Sequence, residues 1–269
     1  MDPVQRIVCD WCKSQNPHTA VSCWACGAPL DIANLVSASG WREAPRIKDM
    51  TELRFGQSVC QVEGEVVPVA EMSLAPGDGL YFEHHTLLWM DDQVDISLMS
   101  LRGAFKRVLA GMPLRITQAQ GPGRIAFSRD DVGELIVLPL HPGMEMDVRE
   151  HSFLVASHHI SYDFVRILGL VNILYGGQGM FMDRFVTGEQ SGLLILHGYG
   201  NVFERELAPG ESILLEPGAF LYKDSSVDLQ VEFRYFGQGL FGSTKYAMAR
   251  MIGPGRVGIQ SMYVHHTTA

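Results

Sequence analysis

The chain has 269 residues, 46% hydrophobic and 19% charged, with 21 Lys and Arg against 30 Asp and Glu for a formal charge of −9. That size suits one large globular domain or a small module ahead of a larger one, and an acidic surface disfavours bulk binding to phosphate backbones. No run of eighteen apolar residues occurs, and the opening MDPVQRIVCD has neither the apolar core of a signal peptide nor the look of a transit peptide, so a cytoplasmic location is the expectation.

Four of the five cysteines lie within the first 26 residues, as Cys9 and Cys12, then Cys23 and Cys26. Each C-x2-C pair can turn two thiolates toward one ion, and two such knuckles supply the four soft ligands of a tetrahedral zinc. A segment this short buries too little apolar surface to fold alone, and zinc supplies the missing free energy, on the order of 10–16 kcal/mol in finger peptides. Paired disulfides would need an oxidising compartment, and a redox C-x-x-C usually opens the helix of a βαβ unit, which is absent here. The expectation is a structural Zn2+ held by Cys9, Cys12, Cys23 and Cys26, with Trp11 and Trp24 covering the zinc core and Gly27 permitting the exit turn. Cys60 stands apart as a small buried apolar side chain.

The stretch resembles a Ran-binding-protein-type finger, whose pattern of cysteines and asparagine Cys9, Cys12, Asn16, Cys23 and Cys26 match. Ile7 stands where that family carries tryptophan, and Lys13-Ser14 where its ubiquitin-binding members carry Thr-Phe. Its RNA-binding members rely on arginines, and residues 1–30 hold only Arg6 and Lys13 as cations. The reading is a zinc ribbon that recruits an unknown protein partner, with nucleic acid disfavoured.

Beyond a connector at 31–52, short apolar runs bounded by Pro-Gly and Gly turns indicate an all-β domain from 53 to 269. Three phrases in it align: EMSLAPGDGLYFEHH from Glu71, VLPLHPGMEMDVREH from Val137 and ERELAPGESILLEPG from Glu204. Their Pro-Gly glycines Gly77, Gly143 and Gly210 are 66 and 67 residues apart, and their acids Glu83, Glu150 and Glu216 are 67 and 66 apart. Two landmarks at one period indicate three repeats, near 53–130, 131–199 and 200–269. Proline fixes φ and glycine takes positive φ, so each Pro-Gly is a hairpin joint. One copy has a poor ratio of core to surface, and three can share a core around a pseudo-threefold axis. The segment at 98–111 could form a short helix, although its counterparts are too glycine-rich for one.

These three units, with LYGGQGMFMDRFVTGEQSGLLILHGYGNVFERELAPGESILLEPG between them, resemble the altered-inheritance-of-mitochondria protein 24 family of the tryptophan-RNA-binding-attenuation-protein-like (TRAP-like) superfamily. The resemblance runs from Arg54 to the C-terminus. It implies an all-β, three-repeat, double-stranded β-helix-like domain behind the small N-terminal zinc ribbon, and no enzymatic activity. Without a transit peptide the chain resembles the bacterial branch.

Other chemistry weighs less. The histidine pairs His84-His85, His158-His159 and His265-His266 would point to opposite faces of a strand, unlike the His-x-His of a metal-binding β-scaffold. Glu83, Glu150 and Glu216 read as strand-end residues, since no histidine or serine recurs with them. The strings YGGQG and FGQGLFG lack the G-x4-G-K-[ST] of a phosphate loop. The apolar glycine-rich segments at 168–182 and 235–248 read as core, or as a patch that joins subunits; self-association is favoured over contact with a membrane surface. The function expected is a non-enzymatic scaffold acting through self-association. Alternatives are a small-ligand or metal-binding β-domain, and RNA binding through the ribbon.

Overall fold

The computed structural model describes residues 6–9, 12, 14–31, 34–37, 39–44, 52–99, 116–166, 181–236 and 244–262. The chain is all-β, and every ladder between its described strands is antiparallel. The described residues contain 3-10 turns but no α-helix. The segment at 98–111 and the glycine-rich stretches at 168–182 and 235–248 lie mostly outside the described residues.

The ribbon is a three-stranded sheet: β1 (Arg6–Val8) lies between β2 (Gln15–Pro17) and β3 (Leu35–Val36). A tight turn then leads to β4 (Arg42–Glu43), with the Ser37 N–H donating to the Trp41 carbonyl at 2.7 Å. Two further strands, β5 (Glu52–Phe55) and β6 (Ser58–Glu63), form a hairpin at the edge of the main body.

Three six-stranded units follow. The first holds β7 (Val69–Leu74), β8 (Gly79–Glu83), β9 (Leu87–Met90), β10 (Asp95–Leu98), β11 (Ile116–Gln120) and β12 (Gly123–Phe127). The second holds β13 (Gly133–Leu140), β14 (Glu145–Arg149), β15 (Phe153–Ser157), β16 (Ile160–Arg166), β17 (Phe181–Thr187) and β18 (Gly192–Tyr199). The third holds β19 (Val202–Leu207), β20 (Ser212–Leu215), β21 (Phe220–Asp224), β22 (Asp228–Phe236), β23 (Thr244–Ile252) and β24 (Gly255–Gln260). In each, the last strand pairs with the first and the third, while the fifth pairs with the second and the fourth.

The Pro-Gly joints have one geometry. Gly77, Gly143 and Gly210 have φ of 87°, 79° and 77°. In each turn the residue after glycine donates its N–H to the carbonyl before proline: Asp78 to Ala75, Met144 to His141 and Glu211 to Ala208, at 3.1, 3.1 and 2.9 Å. That is the positive φ and closing bond a Pro-Gly turn requires.

Two sheets cross from unit to unit, through β8 with β15 and through β14 with β21. Strands central to such a sheet are covered on both faces, so β8 (GLYFE) and β15 (FLVAS) are buried at every position instead of alternating. Edge-side β6 keeps the alternation, with Ser58, Cys60 and Val62 turned inward. Cys60 is fully buried, and burial pushes its thiol up to about 12. In the third crossing position, β9 and β20 have no ladder to each other among the described residues.

The connector docks on the third unit. β4 pairs with β19, the Ala44 N–H donates to the Val202 carbonyl at 2.9 Å, and Trp41 packs against the third core under the Arg205 guanidinium. Arg42 donates to Glu204 at 2.5 Å, and the same buried carboxylate accepts from Tyr222 at 2.8 Å.

Candidate functional site

The four cysteines meet. Their Sγ atoms all lie within 4.8 Å of one another, with Cys9–Cys26 at 3.6 Å and Cys12–Cys23 at 3.5 Å. A disulfide would bring two sulfurs to about 2.05 Å. A tetrahedron of 2.3 Å metal–thiolate bonds has edges of about 3.8 Å, so this donor set fits one tetrahedral metal ion. Among the described residues it is the only His/Cys/Asp/Glu group arranged to do so.

Local sequence builds the knuckles. The Cys9 N–H donates to the Ser14 carbonyl at 3.0 Å and the Cys23 N–H to the Ala28 carbonyl at 2.8 Å. Gly27 takes φ of 73° to leave the second knuckle. The Ser14 hydroxyl lies 2.8 Å from Cys12 Sγ and 3.1 Å from Cys23 Sγ, and chiefly through it the Cys23 thiol is lowered to about 5. At Cys26 the Ala28 N–H pulls downward, but the crowding of Cys12, Cys9 and Cys23 with burial leaves that thiol at about 12. Thiols held this close compete for protons that a cation would displace.

Asn16 is the organiser that the spacing alone does not explain. It is buried; its side-chain oxygen accepts the Trp24 N–H at 3.0 Å, and its NH2 donates to the Ser14 carbonyl at 3.0 Å. Trp24 itself departs from expectation. It is 75% exposed, because its indole N–H reaches outward to the Gln15 carbonyl at 2.9 Å, and it does not cover the cysteines. Trp11 lies outside the described residues.

A second constellation sits where the first and second units join. Glu83, at the end of β8, is buried and faces Arg129 Nη1 at 3.7 Å, His85 Nε2 at 3.2 Å and His151 Nδ1 at 3.6 Å. His151 Nε2 lies 3.8 Å from Glu150, and the His151 carbonyl accepts from Arg129. His151 has φ of 64°, a conformation uncommon without glycine. In the sequence a histidine follows Glu83 and Glu150 but not Glu216, and in the fold His151 stands between the first two acids. Glu216 does not join; its carboxylate accepts the Gly218 N–H at 2.5 Å and caps a 3-10 turn.

Asp183 lies deeper, accepting from Tyr162 at 2.6 Å, and burial raises its carboxyl to about 7. Burial likewise raises Glu150, while the Glu83 carboxylate beside it raises His151. His197 is buried beside Arg129, and burial first, then that cation, lower it to about 4. All six buried side-chain polar atoms that lack a hydrogen bond among the described residues belong here: Tyr81 Oη, Glu83 Oε2, Arg129 Nη1, Asp183 Oδ2 and both His197 ring nitrogens. Glu83 Oε2 and Arg129 Nη1 still attract each other as ions at 3.7 Å.

Among the described residues the other histidines do not assemble a centre, and His265 and His266 lie outside them. His151 and His158 lie at opposite ends of β15 and do not meet. His158 and His159 occupy a turn, not a strand, so their rings meet at a tilt of 43° with centroids 3.8 Å apart instead of facing apart. They border a shallow crevice with Phe55, Asp78 and Ser191.

Fold and site together define an all-β protein of like antiparallel units, fronted by a four-cysteine ribbon with the donor set of a metal knuckle. The chain belongs to the family described as Mitochondrial biogenesis AIM24, whose model matches residues 60–262. A Streptococcus pyogenes protein of known X-ray structure has the same fold at a TM-score of 0.58 and 18% identity, over 77% of this chain and 94% of that one. No curated protein matches the chain. No described helix is long and apolar enough to cross a membrane.

Proposed function

We propose that the protein is a non-enzymatic scaffold that acts through self-association, with a zinc-holding ribbon that recruits a protein partner. The observation that supports it best is a run of large apolar side chains left in solvent on the first unit: Leu88, Trp89, Ile96 and Leu98 are 54%, 41%, 42% and 67% exposed. Large apolar side chains exposed on neighbouring stretches of one unit favour a protein contact. The three units are read as a threefold duplication, on the shared pairing scheme and shared Pro-Gly geometry. Close thiols that remain unbridged suit a reducing compartment, hence a cytoplasmic location.

Light scattering across a concentration series tests the reading: assembly is expected, and a single copy at every concentration removes it. Comparing captured partners of the full chain with those of a chain lacking 1–30 tests the ribbon's role; identical partners would remove that role.

A second reading, metal or small-ligand binding by the β-domain, draws on the orphaned atoms around Glu83 and His151. Metal analysis of a variant with Cys9, Cys12, Cys23 and Cys26 all changed to serine separates the two. Metal falling to zero supports the ribbon alone, and metal left at one equivalent supports the β-domain site.

A further inference from the structure

We propose that the free edge of β9 takes β20 of a second copy of this chain, forming between molecules the sheet crossing that the chain forms twice within itself. This deepens the self-association reading and rests on it.

The three third-position strands share one irregularity. Against β12, the ladder passes from Leu87 opposite Phe127 to Trp89 opposite Ala126, skipping Leu88. Against β18 it passes from Phe153 to Val155, skipping Leu154, and against β24 from Phe220 to Tyr222, skipping Leu221. A bulge in the same place makes Leu88, Leu154 and Leu221 counterparts, and likewise Trp89, Val155 and Tyr222.

In the two formed crossings these counterparts enter the neighbouring unit's core. Leu154 and Val155 of the second unit belong to the core of the first, and Leu221 and Tyr222 of the third belong to the core of the second; all four are fully buried. Val155 stands opposite Phe82 and Tyr222 opposite Val148. Phe82 and Val148 each lie five residues past their Pro-Gly glycine, and Leu215 lies five past Gly210. The third crossing therefore has a defined register: Trp89 opposite Leu215 and Met90 opposite Leu214.

Both halves of that crossing are free of a ladder to each other among the described residues. Among the described residues β9 pairs only with β12, and β20 only with β23. No described first-unit residue belongs to the third core. Closure within one molecule would bury Leu88 and Trp89 as their counterparts are buried, yet they are 54% and 41% exposed. Neither edge is blunted: β9 reads LLWM and β20 reads SILL, without proline or charge. The occupant that fits is the strand carrying the complementary register, and since the chain does not bring its own β20 to β9, a second copy supplies it.

Two measurements on the full-length protein decide it. The first is light scattering of the parent and of Leu88→Lys, an exposed position where the charge is tolerated until the edge is covered. The expected result is an assembled parent and a single-copy variant with unchanged circular dichroism. Equal assembly of both overturns the β9–β20 seam but leaves self-association standing; a single-copy parent overturns both. The second is amide hydrogen exchange of peptides covering Leu87–Met90 and Ser212–Leu215 in dilute and concentrated parent protein. Exchange slowed roughly tenfold or more by concentration in both peptides supports the seam. Slow exchange independent of concentration means the seam closes within one molecule and overturns the proposal, as does fast exchange throughout.

Discussion

Tyr162 donates its hydroxyl to Oδ1 of Asp183 at 2.6 Å, and Oδ2 of the same buried carboxyl has no hydrogen-bond partner. A carboxyl so placed is better kept protonated, and burial lifts it to about 7. Folding therefore takes up a proton here between about 4, the unfolded value, and about 7. Asp183 contributes most to stability below that window and progressively less as pH rises through it. His197 works in the opposite direction: held near 4, it costs stability as pH falls below about 6.5, the unfolded value. The total pH profile mixes the two, so the comparison of Asp183→Asn with the parent isolates one. Asparagine keeps an acceptor for Tyr162 and cannot ionise. The melting temperature of the variant relative to the parent should climb from pH 4 to pH 8; a constant offset across that range would remove the assignment.

Asp147 presents the contrasting case of a buried carboxylate with every need met. It accepts from Lys223 Nζ at 2.7 Å and from Arg184 Nε and Nη2 at 2.7 and 3.0 Å. Burial pushes its pKa up, but these two cations outweigh that and hold it below the usual carboxylate value. Its contribution is therefore full above about 4 and lost as pH falls through its folded value. Asp147→Leu strands the buried Lys223 ammonium between β14 and β21. Removing one partner of a buried pair costs about 3–5 kcal/mol, on the order of 10 °C in melting temperature for a chain this long. A double variant that also carries Lys223→Met should recover part of the loss. Denaturant melts at pH 7 check both, and a single variant within 1 kcal/mol of the parent, roughly the worth of an exposed pair, would contradict the network.

What could be read in advance divides by the distance along the chain over which each feature is made. The Pro-Gly joints at Gly77, Gly143 and Gly210 were legible because four consecutive residues determine such a turn. The cysteine cluster was legible because two short knuckles carry their own spacing. The Glu83 constellation was not. Arg129, His151, Asp183 and His197 come from separate strands or turns, and each alone resembles an ordinary polar residue. His151 and His197 reach Glu83 through β8 with β15 and β15 with β18, while Asp183 comes from β17 in the other sheet, paired with β14 and β16. His151 also needs φ of 64° to turn its ring toward Glu83, which no local signal announces in a residue with a side chain. Trp24 misled for a related reason: apolar area suggested a lid, whereas one bond from its indole N–H to Gln15 holds it outside.

Gly258 lies opposite Tyr222 in the ladder between β24 and β21, and a Cβ at Gly258 would come within 2.2–2.5 Å of three Tyr222 ring carbons. The ring cannot retreat freely, since Tyr222 is fully buried and its hydroxyl donates to Glu204 at 2.8 Å. Gly258→Ala should cost about 1–3 kcal/mol through overpacking. The cost should shrink when Tyr222 is already changed to leucine, because neighbouring sites couple. Additive losses in that double-variant cycle would show that the glycine serves some purpose other than seating the ring.

Asn16 offers the sharpest test of the ribbon, because it touches the knuckles without supplying a sulfur. Its side chain takes the Trp24 N–H and gives to the Ser14 carbonyl, tying the turn after Cys23 to the turn after Cys12. Asn16→Ala takes the acceptor from the part-buried Trp24 N–H and leaves the Ser14 carbonyl with the Cys9 N–H alone, at about 1–3 kcal/mol for the unmet donor. Asn16→Asp keeps the acceptor for Trp24 but sets a carboxylate against the Ser14 and Ile7 carbonyls, which the NH2 now contacts at 3.0 and 3.5 Å. Both variants should weaken zinc binding about 10–100-fold, the usual loss when a supporting residue behind the ligands is removed. Competition against a chromophoric chelator reads the affinity. The melting of the β-domain should stay where it is, since Asn16 hydrogen-bonds only to residues of the first three dozen. Parental zinc affinity in Asn16→Ala would mean that the four thiolates position themselves, and that the asparagine shared with the finger pattern serves the ribbon's surface instead.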